Sequence, residues 1–287
     1  LLTKYASGLT AVGKHLEAVE LYRRANRPTE AALLIGEIAN KAANEDVKPT
    51  LAKKLHVLAA LEIERHRKRT MDLATQATLN AGTDAGTAAQ TTMATLETLM
   101  MTSLDTQGGT TQTGNKKASK AFGNAWRGAA AYHYYMLAQR QLYEGRVDAS
   151  MKTSMKLCEY DDILEPRDIY SLLCLTSLRN KFYGICSKAF VKLETLQVME
   201  PQDFDDIQSL AVKIFVNNTP SDPSPLPEPY MKCLELGKSF KACTITGRAI
   251  QDSDVLTCKR CRHACLEHEY SERGDLSNCP LCHFPLQ

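Results

Sequence analysis

Apolar positions recur at three- and four-residue steps through most of the chain, the spacing of amphipathic helices. Residues 13–43 carry two such stripes: Leu16, Val19, Tyr22 and Ala25, then Ala31, Leu34, Ile35, Ile38 and Ala42. Asn26-Arg27-Pro28-Thr29 breaks the helix between them, with Thr29 placed to cap the second. Residues 50–73 predict another helix with Leu51, Leu55, Leu58 and Leu61 on one side, ending in the basic run Arg65-His66-Arg67-Lys68-Arg69. At a helix end such cations complement the negative pole of the dipole. A patch for lipid or an acidic partner is the other reading.

Helical periodicity returns at Trp126. Residues 122–143 place Trp126, Ala130, His133 and Leu137 on one face, and residues 147–160 carry Val147, Met151, Met155 and Cys158. Pro166 starts a helix with Ile169, Leu172, Leu173 and Thr176. Phe182, Ile185, Cys186, Ala189, Leu193 and Leu196 form the cleanest stripe, and Pro201 separates it from Phe204, Ile207, Leu210, Ala211 and Ile214. The helices pair with a period of about 34 residues, which fits TPR-like repeats. Gly13 with Ala18, Gly145 with Ala149, and Gly184 with Ala189 supply small residues at turns and helix contacts. An irregular helical bundle is the alternative. No strand alternation precedes residue 220.

Two stretches break the pattern. Residues 74–120 are rich in Thr, Gln, Ala and Gly, too poor in apolar area to offset chain entropy. They predict a flexible insertion, with one short helix around Met93, Leu96, Leu99, Met100 and Leu104. Pro220, Pro223, Pro225, Pro227 and Pro229 then predict an extended, semi-rigid spacer.

Composition changes the picture mainly through cysteine. Seven of the ten cysteines lie from Cys233 onward. Cys258-Lys259-Arg260-Cys261 and Cys279-Pro280-Leu281-Cys282 are two CxxC knuckles at zinc-ribbon separation. A tight turn brings each pair of thiolates onto one metal, and four protein ligands close the tetrahedron. The expected cofactor is therefore a structural Zn2+ on Cys258, Cys261, Cys279 and Cys282. The segment is too small to fold on an apolar core alone, so metal would supply the missing stability. Cys243, Cys265, His263, His268 and His283 are candidates for a second site. A cross-braced arrangement needs paired ligands, however, and Thr246 stands where a partner of Cys243 belongs. Cys243 reads better as a buried residue on a strand from Ala242 to Ile245.

The chain is thus expected to be mostly α, a TPR-like helical solenoid followed by a small C-terminal zinc-ribbon-like β module. The divisions are 1–73 helical repeats, 74–120 insertion, 121–218 TPR-like repeats, 219–232 Pro-rich linker and 233–287 zinc-binding domain. With 287 residues, a net charge of +2 and no concentrated basic face, the composition does not describe a nucleic-acid binder. No apolar run approaches the length of a membrane span, and no signal peptide is visible. The chain begins Leu1-Leu2-Thr3 and reads as a fragment. CxxC pairs without a secretory signal point to a reducing, cytosolic compartment. Nucleophile elbow, phosphate loop and HExxH are all missing, so no enzyme is expected. Asp161-Asp162 reads as a solvated turn, His133 as a packed core histidine, and Tyr132, Tyr134 and Tyr135 as packing residues.

Three functions are weighed: a non-enzymatic scaffold in a heteromeric complex, a degenerate RING-type ubiquitin ligase, and a zinc-ribbon nucleic-acid binder. The run Glu17-Ala18-Val19-Glu20-Leu21-Tyr22-Arg23-Arg24-Ala25 with Glu30-Ala31-Ala32 resembles the repeats of WD-repeat plus TPR subunits of trafficking coats. Phe240 to Ile250, Cys258-x-x-Cys261-Arg262-His263 and Cys279-Pro280-Leu281-Cys282-His283 resemble the end of a WD-repeat/TPR subunit of intraflagellar transport complex A. The resemblance implies a scaffold without catalytic activity that assembles with sister subunits through its repeats. It implies retrograde ciliary transport and ciliary membrane-protein entry, with indirect membrane-cargo contact, and a place in cytoplasm, cilium and basal body. It carries the zinc ligands over to the same four cysteines.

Overall fold

The computed structural model describes residues 2–44, 48–81, 125–196, 201–251, 254–272 and 277–285. The chain divides into two compact units, Leu1–Ala129 and Ala130–Gln287.

The first unit contains α1 (Leu2–Ala11), α2 (His15–Arg24), α3 (Pro28–Asn44) and α4 (Pro49–Ala81), each packed on the next. Its core is Ala18, Val19, Ala31, Leu34, Ile35 and Ala59, flanked by Leu9, Tyr22, Ile38 and Leu55. Three points differ from the sequence reading. Pro28 opens α3, so Thr29 lies inside the first turn with its hydroxyl on Glu30, and the Arg27 carbonyl receives the Ala31 N–H at 3.2 Å. On α4, Leu51 and Leu58 are exposed while Ala52, Ala59, Ala60 and Ile63 are buried. Alanines let α3 and α4 approach closely, and the larger leucines point out. Finally, α4 continues through the basic run to Ala81. Arg65 and Arg23 both pair with the buried Glu62 carboxylate, and Arg69 donates to Asn26 Oδ1 at 2.9 Å. The run is mid-helix, so the dipole argument does not apply to it. Residues 82–124, including the short helix expected near Met93, lie outside the described residues.

α5 (Arg127–Tyr143) crosses the boundary between the units. The second unit continues with α6 (Val147–Leu157), a 3₁₀ turn (Cys158–Tyr160), α7 (Pro166–Arg179), α8 (Tyr183–Glu194), α9 (Pro201–Phe215) and α10 (Glu228–Leu236). Met151, Met155, Leu173, Cys174, Ile185, Cys186, Ala189, Phe190, Leu193 and Ile214 form its core.

One turn recurs between helices in both units. Gly13, Asn26, Gly145 and Lys181 have φ of 82°, 56°, 76° and 61°. Each next residue donates its N–H five positions back: Lys14 to Leu9, Arg27 to Tyr22, Arg146 to Gln141 and Phe182 to Ser177, at 2.8–2.9 Å. These are Schellman caps, which satisfy the last helical carbonyls and turn the chain into the next helix. Asn and Lys occupy two of the four left-handed positions, so glycine alone does not mark this turn.

The proline run is held against the repeats. The Asp222 carboxylate accepts from Gly184 N–H at 2.9 Å and Ile185 N–H at 3.2 Å, and the Ser221 carbonyl from Tyr183 N–H at 3.2 Å. A side chain from 37 residues downstream thus caps α8, whose own N-cap Phe182 offers no oxygen. Asp222→Ala should lower thermal stability by about 1 kcal/mol, the usual value of an N-cap, and Asp222→Asn should recover most of it. A melting curve for each variant checks this.

Candidate metal centre

Residues 241–285 form a module of short hairpins. β1 (Val255–Thr257) pairs antiparallel with β2 (Ala264–Leu266), and α11 (Glu267–Glu272) follows directly. Isolated bridges join Ala242 to Ala249 and Asn278 to Pro285. Cys243, Ile245, Cys265 and Leu266 make a small core with Ile250, Leu256 and Tyr270.

The two CxxC knuckles meet. Cys258 Sγ lies 3.6 Å from Cys282 Sγ, and Cys261 Sγ 3.7 Å from Cys279 Sγ. All four sulfurs fall within 4.8 Å of one another. Zinc–sulfur bonds of about 2.3 Å in a tetrahedron place the sulfurs about 3.8 Å apart. Donor set and spacing therefore fit a four-thiolate zinc site with no position left for water. Arg262 and His283, with φ of 59° each, end the two knuckle turns.

Other sequence candidates do not join this set, which is the one cluster of three or more His, Cys, Asp or Glu ligand atoms among the described residues. Cys243 is fully buried, and burial, then a hydrogen bond to Glu269, pushes its thiol up. Cys265 Sγ faces the Leu256 carbonyl at 3.7 Å within the hairpin. His263 Nδ1 lies 2.9 Å from the Cys261 carbonyl, and burial lowers its basicity. Asp161 and Asp162 sit exposed on a turn.

Sequence reasoning missed how the module is attached. The strand expected from Ala242 to Ile245 is a single bridge at Ala242 followed by a turn at Thr244–Thr246, and in this entry segment the carbonyls of every second residue from Phe240 to Thr246 meet side chains of α5 and α6. Lys156 Nζ donates to Phe240 O. The Tyr134 hydroxyl donates to Ala242 O at 2.9 Å, His133 Nε2 to Thr244 O at 2.7 Å, and Gln141 Nε2 to Thr246 O at 2.8 Å. Gln141 Oε1 in turn accepts from the Thr153 hydroxyl at 2.8 Å. Lys156 is almost wholly buried, paired with Glu159 and lying over the Tyr160 and Phe240 rings. These residues explain why α6 is buried on two faces from Ser150 onward: Met151 and Met155 face the repeat core while Thr153 and Lys156 face the module. The signal was present as polar residues within helical stripes. His133 is the buried histidine expected, and its ring nitrogen serves this seam.

Paired helices closed by Schellman turns, joined to a module with a four-cysteine cluster, define a helical-repeat protein with a zinc-finger-type end. Comparison with known families agrees segment by segment. Residues 1–65 match the model described as WD repeat-containing protein 35, TPR repeats; residues 123–222 match IFT121-like, TPR repeats; residues 241–287 match IFT121, second zinc finger domain. The chain belongs to the WD repeat-containing protein 35 family. It is 38% identical over its whole length to the proteins of that name from Homo sapiens, Rattus norvegicus and Mus musculus. It spans 22% of the human protein's length, about a fifth. No helix among the described residues is long and apolar enough to cross a membrane.

Proposed function

We propose that the chain is part of a non-enzymatic scaffold subunit of intraflagellar transport complex A. It holds sister subunits through its helical repeats, and it serves retrograde ciliary transport and ciliary membrane-protein entry from cytoplasm, basal body and cilium. Cys258, Cys261, Cys279 and Cys282 would hold one structural Zn2+. The observation that carries this reading is the closed four-sulfur cluster in a module tied by its backbone to the repeats, since a ligand set without an open position suits structure rather than catalysis. Family membership and the resemblance of the repeat and knuckle sequences support the assignment to the complex. Exposed Leu2, Tyr5, Val12 and Leu16 in the first unit, and Leu210, Val212 and Val216 in the second, offer apolar area for partner subunits. The single ligand set among the described residues gives the RING reading no support, because a cross-brace needs two.

Affinity purification of the full-length tagged protein from ciliated cells tests the proposal. Sister subunits of complex A should copurify in near-equal amounts. Val212→Asp with Val216→Asp should reduce their recovery several-fold without altering the melting temperature. Recovery of none by the unaltered protein would overturn the scaffold reading.

A further inference from the structure

The module contains three turns of one design, and only two contribute to the four-cysteine cluster. Ala242–Ala249, Thr257–Ala264 and Asn278–Pro285 are antiparallel bridges with the same number of residues between the partners. A cysteine follows the first bridge residue each time: Cys243, Cys258 and Cys279. Its N–H donates to the carbonyl five positions on, at Arg248, His263 and Phe284, over 2.8, 2.9 and 2.8 Å. Its carbonyl accepts from the N–H four positions on, at Gly247, Arg262 and His283, over 2.8, 2.9 and 2.8 Å. Those three residues have φ of 72°, 59° and 59°. In this shared frame the second ligand position is Cys261 in one turn, Cys282 in another and Thr246 in the remaining one.

What fills the Cys243 turn is a carboxylate. Glu269, 7% exposed and carried by α11, brings Oε2 to 2.8 Å from Cys243 Sγ and 2.7 Å from Thr246 Oγ1. A thiol and a hydroxyl both donate, so one oxygen accepts two hydrogen bonds where a knuckle would hold a cation. Cys243 Sγ also accepts from the N–H groups of Ile245 at 3.4 Å and Leu266 at 3.5 Å, the kind of amide–sulfur contact that supports a metal-bound thiolate. Arg248 Nη1 lies 3.8 Å from Glu269 Oε1 and balances the buried charge.

We propose that residues 242–249 form a metal-free zinc knuckle, in which the S–H and O–H hydrogen bonds to Glu269 replace the metal. The chain accordingly binds one zinc per molecule and cannot assemble an eight-ligand cross-brace. The inference takes its template from the four-cysteine reading above, but the hydrogen bonds that define it need no metal.

Metal content and cobalt absorption decide it. Elemental analysis of the purified chain should give one zinc, and that value should be unchanged in Cys243→Ser and Glu269→Gln. The double variant Thr246→Cys with Glu269→Cys, which places three thiols in the turn, should raise the content to two. With cobalt(II) in place of zinc, the thiolate-to-metal absorption of that variant should rise in proportion to the added sulfur ligands. Two zincs in the unaltered chain, one of them lost in Cys243→Ser, would overturn the inference. Failure of a folded double variant to gain metal would also overturn it, because the turn would then lack knuckle geometry. If the unaltered chain carries no zinc, the four-cysteine reading fails, and metal gain by the double variant still decides this one.

Discussion

Chelating the metal, or replacing Cys279 with serine, should unfold residues 241–285 and also loosen the helices that carry them. A module of this size has little apolar core of its own, chiefly Cys243, Ile245, Cys265 and Leu266. Zinc in comparable peptides supplies on the order of 10 kcal/mol of folding free energy. Once the entry segment detaches, His133, Tyr134, Gln141 and Lys156 lose the carbonyls they bond. Each such bond contributes about 1 kcal/mol net, and each buried group left without its acceptor costs about 1–3 kcal/mol. Hydrogen exchange followed by mass spectrometry should therefore show faster exchange over residues 130–157 as well as over the module. The α2–α3 region of the other unit should stay protected. If exchange in 130–157 is unchanged by metal loss, the side-chain-to-carbonyl seam does not couple the two parts.

Gly247→Ala should destabilise the second unit by about 3 kcal/mol. Left-handed backbone at a residue with a side chain costs roughly 1–2 kcal/mol, and overfilling a packed contact adds about 1–3 kcal/mol. Gly247 has φ of 72°, and a Cβ there would fall on Thr153 Oγ1 and lie 2.8 Å from Cγ2 and 2.9 Å from Cβ. The matching positions of the other two knuckles, Arg262 and His283, carry large side chains at φ of 59°. Contact with α6 therefore adds a demand for glycine beyond the turn itself. Urea titration of Gly247→Ala, Thr153→Ala and the double variant separates the two contributions: the double variant should recover the overfilling part and retain the backbone part. An additive result would mean that the contact plays no role.

The helices and the clustering of Cys258, Cys261, Cys279 and Cys282 were legible because each rests on short-range spacing. Leu34, Ile35, Ile185 and Leu193 fall where a helical period places them, and two CxxC pairs carry their geometry in the turn. Which face of α4 is buried was not legible. Hydrophobicity ranks Leu51 and Leu58 above Ala52 and Ala59, while close approach of α3 reverses that order. Where α4 continues through Arg65–Arg69, Glu62 accepts from Arg65 on the same helix and from Arg23 on α2, a partner no local pattern indicates. The composition of the proline run predicts a spacer and gives no sign of a cap. Its role as a cap rests on one carboxylate, Asp222, meeting a helix start far away in sequence. The Thr246–Glu269 arrangement was half visible. Thr246 marked the missing ligand, but nothing local indicates that Glu269 returns to that position.

The seam between α5, α6 and the entry segment is built from side chains on one side and carbonyl oxygens on the other. Every residue type has the same carbonyl, so exchanges at Ala242 or Thr244 leave these bonds intact, and no exchange there can offset a loss of Tyr134 or His133. Sequence variation among relatives should therefore show no paired changes between the helix residues and the residues whose carbonyls they bond. Methods that infer proximity from coupled substitutions would miss this contact, although its His133 and Tyr134 bonds are buried.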